Sequence, residues 1–194
     1  MAGTKLDLLI KEVNKYQNLP YFCNQGIHKN ISTNNALVGK GSAHDIAQTT
    51  LEIANQENIK LPNLTTVQIY NFQKKHHLGI DCSGLACQLL NFYFSLSLDP
   101  RKTSANHLTS SPLSTAIKLD NIRTGDLIRQ KNGRHILFII NRLGDTVTFV
   151  DSRRDGHGVK ISTFFLSQPN IKIDGVYRLT SLQSIPGTSV ESKK

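Results

Sequence analysis

Cys82 stands in the run Gly79-Ile80-Asp81-Cys82-Ser83-Gly84-Leu85, a setting that suits a thiol nucleophile. Asp81 reads as a helix N-cap, so Cys82 falls in the first turn of a helix heading into the core. Backbone N–H groups and the helix dipole favour the thiolate there. The N–H groups of Cys82 and Ser83 could also receive a developing oxyanion. An ordinary cysteine, with a pKa of ~8.5, is only a few per cent thiolate at neutral pH. The expectation is therefore a lowered Cys82 pKa, and alkylation of Cys82 ahead of Cys23 and Cys87. Against this stands the plainer view of Cys82 as a small buried residue beside a glycine.

A thiol nucleophile needs a base. His135 opens the apolar run Ile136-Leu137-Phe138-Ile139-Ile140, where a histidine is either a satisfied structural residue or an active-site group. Turn chemistry sharpens the choice. Asn141-Arg142-Leu143-Gly144 suits a type I turn with Gly144 in the left-handed region, giving a three-residue hairpin loop with a bulge. That register pairs Asn141 with Asp145 and places His135 directly opposite Asp151. Cross-strand partners lie ~5 Å apart at Cβ, close enough for a carboxylate to orient an imidazole. Cys82, His135 and Asp151 then supply a nucleophile, a base and an orienting acid, with a thiolate–imidazolium resting pair. His157, in a glycine-flanked turn, is the rival third residue.

Other groupings carry less. His76, His77, Cys82 and Cys87 are close in sequence but match no common zinc spacing, and adjacent histidines point apart in any regular element. Cys87 lies on the same helix as Cys82 at a separation poor for a disulfide and reads as core. Cys23 reads as core or cleft lining. His28, His44 and His107 show no partner in the sequence and read as surface residues.

These residues need a frame to converge. Helical spacing is expected from Lys5 to Tyr16, ending at Asn18 and Pro20, and from Ser42, a good cap with Asp45 three residues on, to about Asn55–Asn58. A third helix runs from Cys82 to the stop at Asp99-Pro100; it is apolar over much of its circumference and so central and buried. From Asp120 the period turns strand-like over Asp126–Gln130, His135–Asn141, Asp145–Asp151, Gly158–Thr163 and Ile171–Leu179. Glycines punctuate these segments as in an antiparallel meander. Helices first and strands afterwards argue for an α+β domain over residues 1–182. The polar tail 183–194 is expected to be disordered.

Composition bounds the partners. A chain 38% hydrophobic has material for a core, so a wholly disordered chain is excluded. Three cysteines do not make a disulfide scaffold. No run approaches the ~20 apolar residues of a membrane span. Met1–Ile10 has no apolar h-region or cleavage site, so no secretory signal is expected. With 23 Lys and Arg against 14 Asp and Glu, a net charge of +9, the chain will associate with polyanions: nucleic acid, anionic lipid or acidic wall polymer. The basic residues are scattered, and neither an aromatic-plus-basic strip nor a recognition helix is evident, so nucleic acid is the weaker candidate.

The Asp81-Cys82-Ser83-Gly84 run and its apolar helix resemble the nucleophile motif of the NlpC-type, papain-like cell-wall cysteine peptidases. Gly125-Asp126-Leu127-Ile128 followed by Arg134-His135-Ile136-Leu137-Phe138-Ile139 is similar to the family's segment carrying the base. Phe149-Val150-Asp151-Ser152 falls where the family has its third polar residue, commonly a histidine. Pro20-Tyr21-Phe22-Cys23-Asn24-Gln25-Gly26 resembles a weakened form of its tyrosine motif, lacking the tryptophan and one glycine. Pro100-Arg101-Lys102-Thr103-Ser104 is similar to another short family stretch. These motifs keep the family's order over residues 5–180. The chain departs in the long segment 27–79, where the family has a short loop; it is expected to form a lid or binding insertion over the cleft.

The resemblance implies a papain-like fold, with the nucleophile at the N-terminus of a buried helix packed on an antiparallel sheet. It implies hydrolysis of an amide in peptidoglycan or a muropeptide through Cys82, His135 and Asp151. Tyr21, Asp81 and Ser83 would lie at the substrate or oxyanion position, with no metal or organic cofactor. An anionic wall polymer is a second expected partner. The alternatives are a papain-like acyltransferase or deamidase, or a non-catalytic basic module binding polyanions such as nucleic acid. Without a signal, a wall enzyme would stay cytoplasmic unless delivered as a phage lysin, exported as a toxin, released by lysis or trimmed of a leader.

Overall fold

A computed structural model of the chain describes residues 3–24, 32–156 and 158–182. Gln25, Gly26, His28, His157 and the tail 183–194 lie outside the described residues, so the rival role of His157 falls there too. The architecture is α+β. Five α-helices are described: α1 (Lys5–Asn14), α2 (Ala43–Gln56), α3 (Thr66–Lys75), α4 (Cys82–Phe94) and the single turn α5 (Ala105–Leu108). Six strands follow: β1 (Ser114–Ile117), β2 (Leu127–Gln130), β3 (His135–Leu143), β4 (Thr146–Arg153), β5 (Gly158–Phe165) and β6 (Gly175–Leu179). They form one antiparallel sheet in the order β1-β6-β2-β3-β4-β5.

Local chemistry starts the helices. Thr4, Ser42 and Thr65 each close a capping box, with Asp7, Asp45 and Gln68 respectively; each reciprocal pair satisfies otherwise orphaned N–H groups. α3 was not anticipated, although its Thr65…Gln68 spacing is a readable start signal. β1 was also missed. It is only four residues long, at the edge of the sheet, and shows no clean alternation; its pairing with β6 defines it. The expected meander holds from β2 to β5, but β6 returns to the other side of β2.

β3 explains its own apolar run. Ile136, Phe138 and Ile140 face a core shared with α1 and α4, whereas Leu137 and Ile139 join Phe149, Phe164 and Val176 in a second cluster. A strand covered on both faces has no reason to alternate. α4 packs on β3 and β4, and its residues Cys82–Cys87, Leu89 and Leu90 are buried.

The segment 27–79 is more than an overlay. Ala36, Ala43, Ile46 and Leu78 belong to the same buried cluster as Leu85 and Leu89 of α4. Gln73 on α3 donates to Thr50 on α2 at 3.2 Å. Removing this segment would open the main core, so its described part is structural as well as cleft-lining.

Candidate active site

The residues just before Cys82 are held by four hydrogen bonds from three segments. Ile80 N–H donates to Pro20 O at 3.0 Å, and Ile80 O accepts from Phe22 N–H at 3.4 Å, forming a parallel bridge between Tyr21 and Ile80. Buried Ser152 on β4 also donates to Ile80 O, at 2.7 Å. Asp81 N–H donates to Gly39 O at 3.0 Å. The packing is close enough to demand glycine. A Cβ on Gly39, where φ is +74°, would lie 2.2 Å from Phe22 O, and one on Gly84 would lie 2.5 Å from Gly39 O. The tyrosine strip and the nucleophile run, far apart in sequence, thereby converge.

Asp81 caps α4, accepting from Gly84 N–H at 2.6 Å. Its carboxylate also pairs with Lys40 at 2.8 Å and accepts from Ser83 Oγ at 2.9 Å. Lys40 Nζ reaches Ser83 Oγ at 2.6 Å and Thr103 O at 3.2 Å as well. The side chains of Asp81 and Ser83 are thus engaged with Lys40, and what this end of α4 offers a ligand is its backbone N–H groups. Lys40 was overlooked because it lies far away in sequence and in no motif.

Tyr21 lines the same cleft as Cys82, Cys23, Asp81 and Ser83. Its hydroxyl bonds to Cys23, and burial raises its pKa. Arg154 stands over its ring at 5.9 Å, within cation–π range.

His135 and Asp151 meet as a buried pair, with Nε2 2.7 Å from Oδ2 and the two residues 7% and 1% exposed. The register that brings them together differs from expectation. The hairpin closes through two residues, with Leu143 opposite Thr146 and Gly144 at φ +58°. A bulge between Ile139 and Asn141 then shifts the pairing, so that Phe138 faces Val150. Continued along the strands, that register sets Arg153 opposite His135 and makes Asp151 its diagonal neighbour. Sheet alternation rescues the pairing: a slip of two residues keeps a side chain on the same face.

Arg153 is a member of the site that sequence reading missed. Its Nε donates to Asp151 Oδ2 at 2.7 Å and its Nη2 to Oδ1 at 3.0 Å. The signal was available, since residues two apart on a strand share a face. Asp151 therefore divides its carboxylate between His135 and Arg153. With Nε2 so engaged, Nδ1 is the ring nitrogen left for a reacting group; it makes no hydrogen bond among the described residues.

Cys82 meets β3 at the residue after His135, where the backbone N–H of Ile136 bonds to the sulfur. Among the described residues no hydrogen bond joins the thiol to the imidazole. The expected lowering of its pKa is overturned. Cys82 is 7% exposed, and burial first, then the Asp81 carboxylate, pushes the thiol up to about 12, against the opposing pull of Ile136 N–H and Lys40. The resting residue is a neutral thiol, because burial penalises the thiolate more than these donors favour it. Burial likewise raises Cys87 to about 11 and raises Cys23.

His76 stands 3.2 Å from Glu57, His77 lies against Phe22 at 5.3 Å between ring centroids, and Cys87 is buried near Leu98 O. Among the described residues no three His, Cys, Asp or Glu side chains are grouped to hold a metal. No helix among them is long and apolar enough to cross a membrane. Comparison of the chain with family models, curated proteins and solved structures gives no match.

Proposed function

We propose that the protein is a papain-like cysteine hydrolase that cleaves an amide in peptidoglycan peptides. The observation that carries this reading is the buried His135–Asp151 pair at 2.7 Å, together with Cys82 at the helix N-terminus, whose sulfur accepts from the N–H of Ile136, the residue after His135. In the reaction, His135 Nδ1 takes the thiol proton as Cys82 Sγ attacks the carbonyl carbon. The imidazolium then delivers that proton to the departing amine, leaving an acyl-thioester. Water, deprotonated by His135, attacks the thioester and releases the acid and the thiol. The N–H groups of Cys82 and Ser83 receive the oxyanion in both halves. A neutral resting thiol makes His135 a general base rather than half of a standing ion pair. The choice of peptidoglycan rests on the resemblance of the Asp81–Gly84, Gly125–Ile128 and Arg134–Ile139 motifs.

The test is incubation of purified muropeptides with the wild-type chain and with Cys82→Ala, reading products by mass. Cleavage by the first and not the second is expected; no cleavage of any muropeptide by the wild type would refute the proposal. Transfer of the acyl group to an added amine, or release of ammonia, would reassign the same residues to acyl transfer or deamidation. A second reading, a non-catalytic module for polyanions, is favoured by the buried, neutral thiol and by the basic side chains at the cleft. It predicts polyanion binding unchanged in Cys82→Ala and no hydrolysis.

A further inference from the structure

The cleft beside Cys82, about 520 Å³ in volume, is unbalanced in charge. Its lining includes Lys40, Arg101 and Arg134 against a single carboxylate, Asp81, and that carboxylate is already paired with Lys40 at 2.8 Å. Two guanidinium groups therefore face the cleft with no acid among the described residues left to meet them.

They are built differently. Arg101 is held in place: Nε donates to Asn35 Oδ1 at 2.5 Å and Nη2 to Ser32 O at 2.8 Å. Both partners are neutral, so the cation is oriented without being neutralised, and Nη1 is left without a partner among the described residues. Arg134 is exposed, carries no side-chain hydrogen bond or ion pair among the described residues, and directly precedes the proposed base His135. Held cations in a cleft favour an anion, and the planar guanidinium matches a carboxylate with two parallel hydrogen bonds.

We propose that this site selects a peptide with a free carboxylate near the scissile amide, received by Arg101 and Arg134. The proposal rests on the hydrolase reading for its scissile bond, but the carboxylate preference stands on the charges of the cleft. Lys40 is not part of the receptor, since Asp81, Ser83 and Thr103 occupy its ammonium.

The test uses the full chain carrying Cys82→Ala, so that binding is read without turnover. Its probes are a peptidoglycan stem tetrapeptide with free carboxylates and the same peptide fully amidated, compared by titration calorimetry. Losing a charge-assisted contact should weaken binding roughly 10-fold to 100-fold, and the preference should shrink as salt rises. Adding Arg134→Gln should remove most of the preference, and Arg101→Gln with Arg134→Gln should abolish it. Arg134 is exposed and has no partner among the described residues, so its replacement is expected to leave the fold intact; both variants are checked by thermal melting. Equal binding of the two peptides, or no binding of either, overturns the proposal. Wild-type turnover of the same pair separates it from the hydrolase reading. Carboxylate-selective binding without any cleavage refutes hydrolysis and leaves the proposal standing; cleavage of both at equal KM does the reverse.

Discussion

Asp151→Asn asks whether the buried carboxylate organises the base. Asp151 Oδ2 accepts from both His135 Nε2 and Arg153 Nε, and Oδ1 accepts from Arg153 Nη2. Asparagine has only one oxygen to offer. If it faces Nε2, its amide nitrogen confronts the Nη2 donor of Arg153. If it turns to Nη2, its amide nitrogen donates to His135 Nε2, which moves the ring proton to Nδ1. Nδ1 then cannot accept the proton of Cys82. Asp151 is 1% exposed, so water does not replace the lost interaction. The Arg153 side chain is 40% exposed and turns to solvent at little cost, so the loss falls on the bond to His135. A charge-assisted hydrogen bond in such a place contributes about 1.5–3 kcal/mol, or roughly 10-fold to 100-fold in rate. A wrong tautomer can extend the loss toward ~10⁴-fold, the figure known for the equivalent change in serine proteases. The assay is kcat/KM on whichever muropeptide the wild type cleaves, with melting temperature as a folding control. A fall in kcat with KM nearly unchanged is expected. A folded Asp151→Asn chain within twofold of wild type would refute the reasoning, and His135 would then need another orienting group.

Lys40→Met should leave the Asp81 carboxylate buried without its cation; breaking such a pair costs about 3–5 kcal/mol, seen as a lower melting temperature. It also withdraws one of the two influences that hold the Cys82 pKa down, so alkylation of Cys82 at pH 9 should slow. Unchanged melting would show that the pair is dispensable. Stability should fall in alkali. Thiols that ionise near pH 9 in the unfolded chain hold their protons to about 11 at Cys87 and about 12 at Cys82 in the folded one. Their contribution is therefore complete below pH 9 and lost between pH 9 and 12. Melting at pH 8 and pH 10.5 checks this, and Cys87→Ala should flatten the fall. In the native chain at pH 7, half-buried Cys23 should react with iodoacetamide before buried Cys82 and Cys87; faster labelling of Cys82 would show a thiolate that burial has not suppressed.

The helix starts at Ser42 and Asp81 were legible because capping is a matter of residues a few positions apart. So was the strand-rich second half, whose side chains and glycine turns carry their period locally. The candidates Cys82, His135 and Asp151 could be named from their types and neighbours alone, and alternation made the His135–Asp151 pairing tolerant of a register wrong by two. What surrounds them was not local. The bulge after Ile139, the return of β6 beside β2, and the core role of Ala36 and Ile46 follow from contacts between distant segments. Lys40 and Arg153 enter the site only when folding brings them against Asp81 and Asp151. The thiol shows the division most clearly. Its place at a helix N-terminus, which favours the anion, is written in the sequence. The burial that pushes it to about 12 belongs to the tertiary structure, because desolvation depends on everything packed around the sulfur rather than on the residues next to it.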